Sequence, residues 1–244
     1  MNEWGARSFQ AVWFLAGPPA RIPADEIYRR TFELEPETHF SNPGQSIATG
    51  NTLTGEYRIQ GQPGRIDLFL LPSASTAAVG GPPILMLLPH IDAAMEEFSS
   101  KLESACSAVG EAYRIALVVT LSAQVETREQ ATASVLRAIG LSLPFTDGSD
   151  LVFQVNRQRA LEDNKYTINR LLQWRTETVQ QLTALAGSAS NIMENIYATT
   201  FAADINNVPA PQRILSPTDQ LWIFREMSAE ARRCYSERSI KGLI

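Results

Sequence analysis

The sequence predicts an α+β fold in which helices pack on a mixed β-sheet. Three observations predict it. Several short runs alternate apolar and polar residues, the pattern of strands with one buried face. Other runs place apolar residues at three- and four-residue steps behind recognisable start signals, the pattern of amphipathic helices. The two kinds of run alternate along the chain, an order that builds a sheet with helices laid on it. The 244 residues, 44% apolar and 19% charged, are enough to bury a substantial core.

Residues 9–16 form the first predicted strand, with Phe9, Trp13 and Phe14, and Gly17, Pro18 and Pro19 end it. A helix is expected over 23–34, opened by Pro23 with Asp25 and Glu26 near the positive end of its dipole. Residues 35–54 are polar and rich in Asn, Gly, Ser and Thr, and read as a long loop. Short strands follow at 56–60 and 65–71 around the turn Gln62, Pro63 and Gly64. A small-residue linker spans 73–83, and 84–88 is a short strand or a lead into the next helix. That helix, 90–109, buries Ile91, Ala94, Met95, Phe98, Leu102, Cys106 and Val109. The clearest β-run is 113–123. A helix over 127–141 uses Ala131, Val135, Leu136 and Ile139, and a turn is placed at 145–148.

The stretch 150–185 organises the rest. It opens with a strand over 150–155, with Leu151, Phe153 and Val155 on one face. After a polar connector comes a predicted amphipathic helix over 167–185. Ile168, Leu171, Leu172, Val179, Leu182 and Leu185 share its buried face, Arg170, Arg175, Glu177 and Gln181 are solvated, Gln180 lies on its outer surface, and Gly187 stops it. A strand over 197–206, a Pro-broken loop over 207–216 and a helix over 217–235 complete the chain.

Laid side by side, these elements suggest an internal duplication. The strand at 9–16 and helix at 23–34 match the strand at 115–122 and helix at 127–141. The strand at 65–71 and helix at 90–109 match the strand at 150–155 and helix at 167–185. A third strand and helix restart the pattern. The helix openings Pro23-Ala-Asp-Glu-Ile-Tyr28 and Pro217-Thr-Asp-Gln-Leu-Trp222 agree in residue type at nearly every position. The expected organisation is a first repeat over 1–110 with a long insertion, a second over 111–190, and a truncated third unit over 191–244.

The run Leu151-Val-Phe-Gln-Val-Asn-Arg157, then Tyr166, the strand Phe201-Ala-Ala-Asp-Ile-Asn-Asn207 and the ending Ala231-Arg-Arg-Cys-Tyr235 with Ser239 and Ile240 carry a resemblance. Together they resemble part of a sporadically distributed, uncharacterised bacterial protein family of about this length. The likeness covers roughly the C-terminal half. It implies an architecture and brings no activity or site residues.

A net charge of −5 and a pI near 5.2 argue against wrapping nucleic acid or binding an acidic membrane. Cys106 and Cys234 read as reduced packing residues, so no disulfide is expected. No N-terminal signal pattern and no apolar run of spanning length are present, so a cytoplasmic protein is expected. The sequence holds no G-x-x-x-x-G-K-[ST], no G-x-G-x-x-G after a strand and no G-x-S-x-G, and no cofactor or metal is expected.

The remaining candidates are weak signals. His90 stands at a helix start two residues before Asp92, where an imidazole could serve as a base or pack the helix end. Asp204 interrupts an apolar strand, with Asn206 and Asn207 after it. It could bind a cation or polar ligand, or satisfy loop amides. Arg157, Arg159, Arg170 and Arg175, with Lys165, form the basic cluster, and Tyr166 and Trp174 are interleaved. The leading expectation is a non-enzymatic scaffold that assembles with itself or with a protein partner. Trp4, Trp174, Trp222 and Tyr235 are read as surface-biased aromatics suited to an interface, and open sheet edges invite strand pairing. The alternatives are an enzyme or small-ligand binder with a pocket near His90 or Asp204, and an RNA or single-strand binder using the basic cluster.

Overall fold

Nine strands pair into one sheet in the order β2-β3-β4-β5-β1-β6-β9-β8-β7. The computed structural model describes residues 3–16, 23–73, 84–144, 150–161, 165–184, 191–210 and 213–243. The elements are β1 (Gly5–Leu15), α1 (Ala24–Phe32), β2 (Thr38–Asn42), β3 (Gln45–Asn51), β4 (Glu56–Gln62), β5 (Arg65–Leu71), α2 (Ile91–Ser100), α3 (Leu102–Val109), β6 (Ala112–Val125), α4 (Arg128–Ile139), β7 (Val152–Ala160), β8 (Thr167–Ala184), β9 (Asn191–Asn207) and α5 (Pro217–Glu237). The turns expected at 17–19 and 145–148, the linker from 74 to 83 and the stop at Gly187 lie outside the described residues.

The α+β class holds, and the sheet is antiparallel throughout rather than mixed. The reason lies in the connections. Segments read as loop or helix between strands are themselves strands, and strands joined by short turns must lie antiparallel. The segment 35–54 is not a long loop but carries β2 and β3. Asn42 Oδ1 accepts the Gly44 and Gln45 amides at 2.9 and 2.8 Å, which closes the tight turn between them. Every residue of β2 is exposed, so this strand has no apolar alternation to reveal it.

The largest correction concerns residues 167–185, expected as a helix and found as β8. Ile168, Arg170, Leu172, Trp174 and Thr176 are buried, and the residues between them are only half-buried, a period of two. The helical reading arose because Leu171 and Leu172 sit on opposite faces and because Arg170 was assigned to solvent. Once Arg170 counts as an inward position, the alternation is continuous. With this helix gone, the matching of 65–109 with 150–185 fails, and the expected duplication is not seen.

Other boundaries are refined. The helix expected over 90–109 is broken into α2 and α3 at Lys101. Thr127 caps α4 by accepting the Gln130 amide, and Ser216 caps α5 by accepting the Asp219 amide.

All the helices lie on one face of the sheet. Phe98 of α2 stacks on Phe9 of β1 at 5.9 Å, and Phe224 of α5 meets Trp13 at 5.2 Å. Phe32 of α1 packs on Tyr57 of β4 at 4.7 Å, and Thr199 of β9 donates to the Ala131 carbonyl of α4. The ladder register places Phe9, Trp13, Tyr57 and Thr199 on the same side. Gly50 matters to this layer, because a Cβ there would fall 2.2 Å from Tyr28 Oη, which seats α1 over β3. The buried Gln220 bridges the layers: its Oε1 accepts from Trp13 Nε1 at 3.0 Å and its Nε2 donates to the Gly110 and Leu215 carbonyls. Cys106 and Cys234 are both unpaired thiols buried in this layer, and burial pushes them up to about 12 and about 11.

The opposite face carries no described helix. It is mixed in character, with Val12, Phe14, Phe69, Val118 and Leu171 among polar ladders such as Gln10 to Asp67 and Ser122 to Thr200. Val12, Asp67, Ser122 and Thr200 are buried on this face as well. No helix among the described residues is long and apolar enough to cross a membrane.

Candidate functional site

The outer edge of β7 is the most distinctive surface of the molecule. β7 pairs with β8 from Val152 opposite Arg175 to Ala160 opposite Thr167 without a bulge. Beyond its ends, the Leu161 amide donates to the Tyr166 carbonyl at 2.8 Å and the Thr176 amide donates to the Leu151 carbonyl at 3.0 Å. These two bonds set the phase of the ladder. Odd-numbered residues of β7 turn their backbone groups inward to β8. Val152, Gln154, Asn156, Gln158 and Ala160 therefore turn theirs outward, where no described strand lies.

The side chains alternate in the same phase. Phe153, Val155, Arg157 and Arg159 point to the helical face. Phe153 stands 6.0 Å from Trp174, and Val155 is half-buried against the core. Arg157 and Arg159 are exposed at the far end of the strand.

Beneath them, Glu230 of α5 gathers three guanidinium groups. Arg159 reaches it at 2.7 Å, Arg170 at 2.8 Å and Arg233 at 2.6 Å. The Glu230 side chain is 1% exposed and that of Arg170 7%, whereas Arg159 and Arg233 are 47% and 43% exposed. Burial alone would raise the carboxyl, but donation from Arg233 and Arg170 outweighs it and brings Glu230 down to about 2. A buried carboxylate with charge-assisted bonds on both oxygens is held rigidly. Three arginines against one carboxylate leave the corner positive, and the two half-exposed guanidinium groups present that charge beside the β7 edge. Chemically, this corner is suited to receiving carboxylates.

The expected basic cluster is thus divided. Arg157, Arg159 and Arg170 come together on the helical side. Arg175 lies on the opposite face, where Glu177 accepts from its Nε at 2.6 Å and also pairs with Arg7. Trp174 is fully buried, with Nε1 donating to the Arg238 carbonyl, and Tyr235 is buried as well, so neither is the surface aromatic expected of it. A large apolar ring in the centre of a strand fills the core under the helices rather than stacking a base.

His90 and Asp204 are not brought together. His90 has a left-handed backbone at the start of α2, in the helical layer. Asp204 is on the opposite face, where Asn206 Nδ2 donates to it at 3.0 Å and Arg114 and Asn169 donate to Asn206 Oδ1. The neighbour that binds outward is Asp92, which accepts the Tyr235 hydroxyl at 2.6 Å and pins α2 to α5.

Several clefts lie elsewhere, one of them a groove of about 490 Å³ lined by Asn51, Thr54 and Pro89. A cavity of about 140 Å³ is lined by Lys165, Tyr166 and Arg213 near the end of β9. A groove of about 620 Å³ runs between α4 and the end of α5, lined by Trp4, Ala133, Arg137 and Arg238. None of these contains His90 or Asp204.

Glu230 and Arg233 were not singled out from sequence, although a signal existed. Met227, Ala231 and Cys234 form the apolar stripe of α5, and Glu230 falls within it. An acid in an apolar stripe demands a buried cation as partner. Comparison of the chain with family models, with curated proteins and with solved structures returned no match.

Proposed function

We propose that this protein is a non-enzymatic binding scaffold that holds a protein partner along the β7 edge. The observation that supports the reading is the pairing of a regular nine-residue edge strand with a positive corner anchored on a buried carboxylate. Natural sheets protect long edges with charged side chains, prolines, bulges or short strands. β7 is nine residues long, without proline or bulge, and its only charges, Arg157 and Arg159, stand at one end. Two copies of β7 paired about Asn156 would set Arg157 and Arg159 opposite Val155 and Phe153 of the other copy, so self-pairing offers these charges no carboxylate and a different partner is favoured.

The test is site-specific photo-crosslinking in the native host. A crosslinking side chain at Gln158 on β7 is expected to capture a distinct protein, and one at Ser41 on β2 is not. Size-exclusion with light scattering is expected to find the isolated chain monomeric. Absence of any β7 crosslink, together with a monomer that copurifies with nothing, would overturn the reading.

A further inference from the structure

We infer that the partner enters as an extended segment that adds to β7 as an antiparallel strand, with alternating acidic residues set opposite Arg157 and Arg159. This rests on the scaffold reading above and names the chemistry of its partner.

The backbone argument comes first. Val152, Gln154, Asn156, Gln158 and Ala160 present outward donors and acceptors at every second residue, in the spacing that an added strand needs. Opposite these residues, the new strand would form its hydrogen-bonded pairs. Opposite Phe153, Val155, Arg157 and Arg159 it would form the closer, non-hydrogen-bonded pairs, in which side chains on the same face meet most directly. The face they meet on is the helical one, where Arg233 of α5 and the Glu230 anchor lie. An incoming strand therefore reads, from its N-terminal end, acidic opposite Arg159, acidic opposite Arg157, then apolar opposite Val155 and Phe153, with polar residues between.

The topology supplies a second argument. In the first half of the chain, β3, β4 and β5 step inward to the central strand β1. In the second half, β7, β8 and β9 step inward to the central strand β6. β3 and β7 hold equivalent places, and β3 has β2 along its outer edge. β7 has no such neighbour among the described residues. In the strand order, the place outside β7 corresponds to the place that β2 fills outside β3.

Charge selects the occupant. Another copy of β7, paired antiparallel over its whole length, would set Val155 and Phe153 opposite Arg157 and Arg159 and supply no carboxylate. A nucleic-acid strand would satisfy the charge, but it has no amides for the outward carbonyls and would leave Phe153 and Val155 without apolar contact.

The experiment uses the full chain and a fluorescent peptide of sequence Glu-Thr-Glu-Thr-Val-Thr-Val. The peptide is expected to bind, and hydrogen exchange should slow at the amides of Gln154, Asn156 and Gln158 but not at those of Val155 and Arg157, which β8 already protects. Arg157→Gln combined with Arg159→Gln should weaken binding roughly tenfold. Asn156→Pro removes an outward donor while sparing the β8 ladder, and should abolish binding with the thermal melt little changed. A peptide methylated on alternate backbone nitrogens should not bind.

Binding without the alternating protection, or binding that survives Asn156→Pro and backbone methylation, would mean that charge alone holds the peptide. That overturns strand addition while leaving the scaffold reading intact. Failure of the peptide to bind, with a partner still crosslinked at Gln158, overturns the acidic chemistry alone. Tighter binding of a single-stranded oligonucleotide than of the peptide overturns it as well. If neither peptide nor crosslinked partner is found, the scaffold reading falls with it.

Discussion

In the first half of the molecule, β1 lies at the centre, α1 crosses to the edge, and β2 to β5 step back from edge to centre. In the second half, β6 lies at the centre, α4 crosses to the edge, and β7 to β9 step back in the same sense, ending in α5. The halves differ at their rims. β2 is five residues long, wholly exposed, flanked by Pro36 and Pro43, and tied to little besides β3. β7 is nine residues long, turns Phe153 and Val155 against the core, and is anchored to α5 through Arg159 and Glu230. The comparison teaches that edges of one sheet can be handled in opposite ways. One rim is made short and dispensable. The other is held rigid and charged, as a surface needs to be if it is to bind without ordering itself first.

Substitutions at five positions would break or sharpen that contrast. The largest effect is expected from Glu230→Ala. It leaves Arg170 buried without its counter-charge, which costs about 3–5 kcal/mol and should release the β7 rim. A denaturant melt measures the loss, and a change within about 1 kcal/mol of wild type would mean that the cluster does not anchor the edge. The same cluster sets an acid limit. The Glu230 carboxyl is depressed to about 2 in the fold, from an ordinary 4.5. Its contribution is therefore present above pH 4.5 and lost as pH falls from there towards 2. Stability measured across that window should fall less in Glu230→Gln than in wild type.

Next is Leu172→Ala, which empties a fully buried site under the helices and should cost about 2–5 kcal/mol. Gln180, on the same face of β8 but exposed, should tolerate Ala within about 0.5 kcal/mol. Equal melts for the two would contradict the burial gradient along β8. Thr127→Ala removes the cap of α4, the crossover to the β7 edge, and should cost about 1 kcal/mol. The smallest effect belongs to the other rim. Phe40→Ser on β2 should change the melt by less than about 0.5 kcal/mol, since the ring is already 54% exposed. A larger loss would show that β2 is not dispensable.

The two contrasted residues on β8 also show how a wrong element can yield a right pair. A helical reading placed Leu172 inside and Gln180 outside, on opposite faces. In the strand they share a face, and what separates them is how far the helical layer extends over it. The expected surface roles of Trp174 and Tyr235 failed for a related reason. An aromatic residue next to arginines looks like a binding surface in one dimension, but alternation sends Trp174 inward and Arg175 outward from adjacent positions. Within the candidate site, Arg157 and Arg159 were legible as part of a basic cluster. Their common face, their partner Glu230 and the outward phase of the β7 backbone were not, because each depends on pairing with another element.

The sequence by itself determined the α+β class, the helices α1, α4 and α5, and the strands β1, β6 and β9. These carry their signals locally, as Pro23 and Pro217 at helix starts or as an unbroken apolar run from Ile115 to Val119. Only the tertiary structure decided β2, β3 and β8, the antiparallel order, and the charged corner at the β7 edge. The physical reason is the reach of the interactions involved. A helix satisfies its backbone within its own segment, whereas a strand is completed by a neighbour set by the fold. Arg170 is an inward residue of a strand only because Glu230 waits for it 60 residues along the chain.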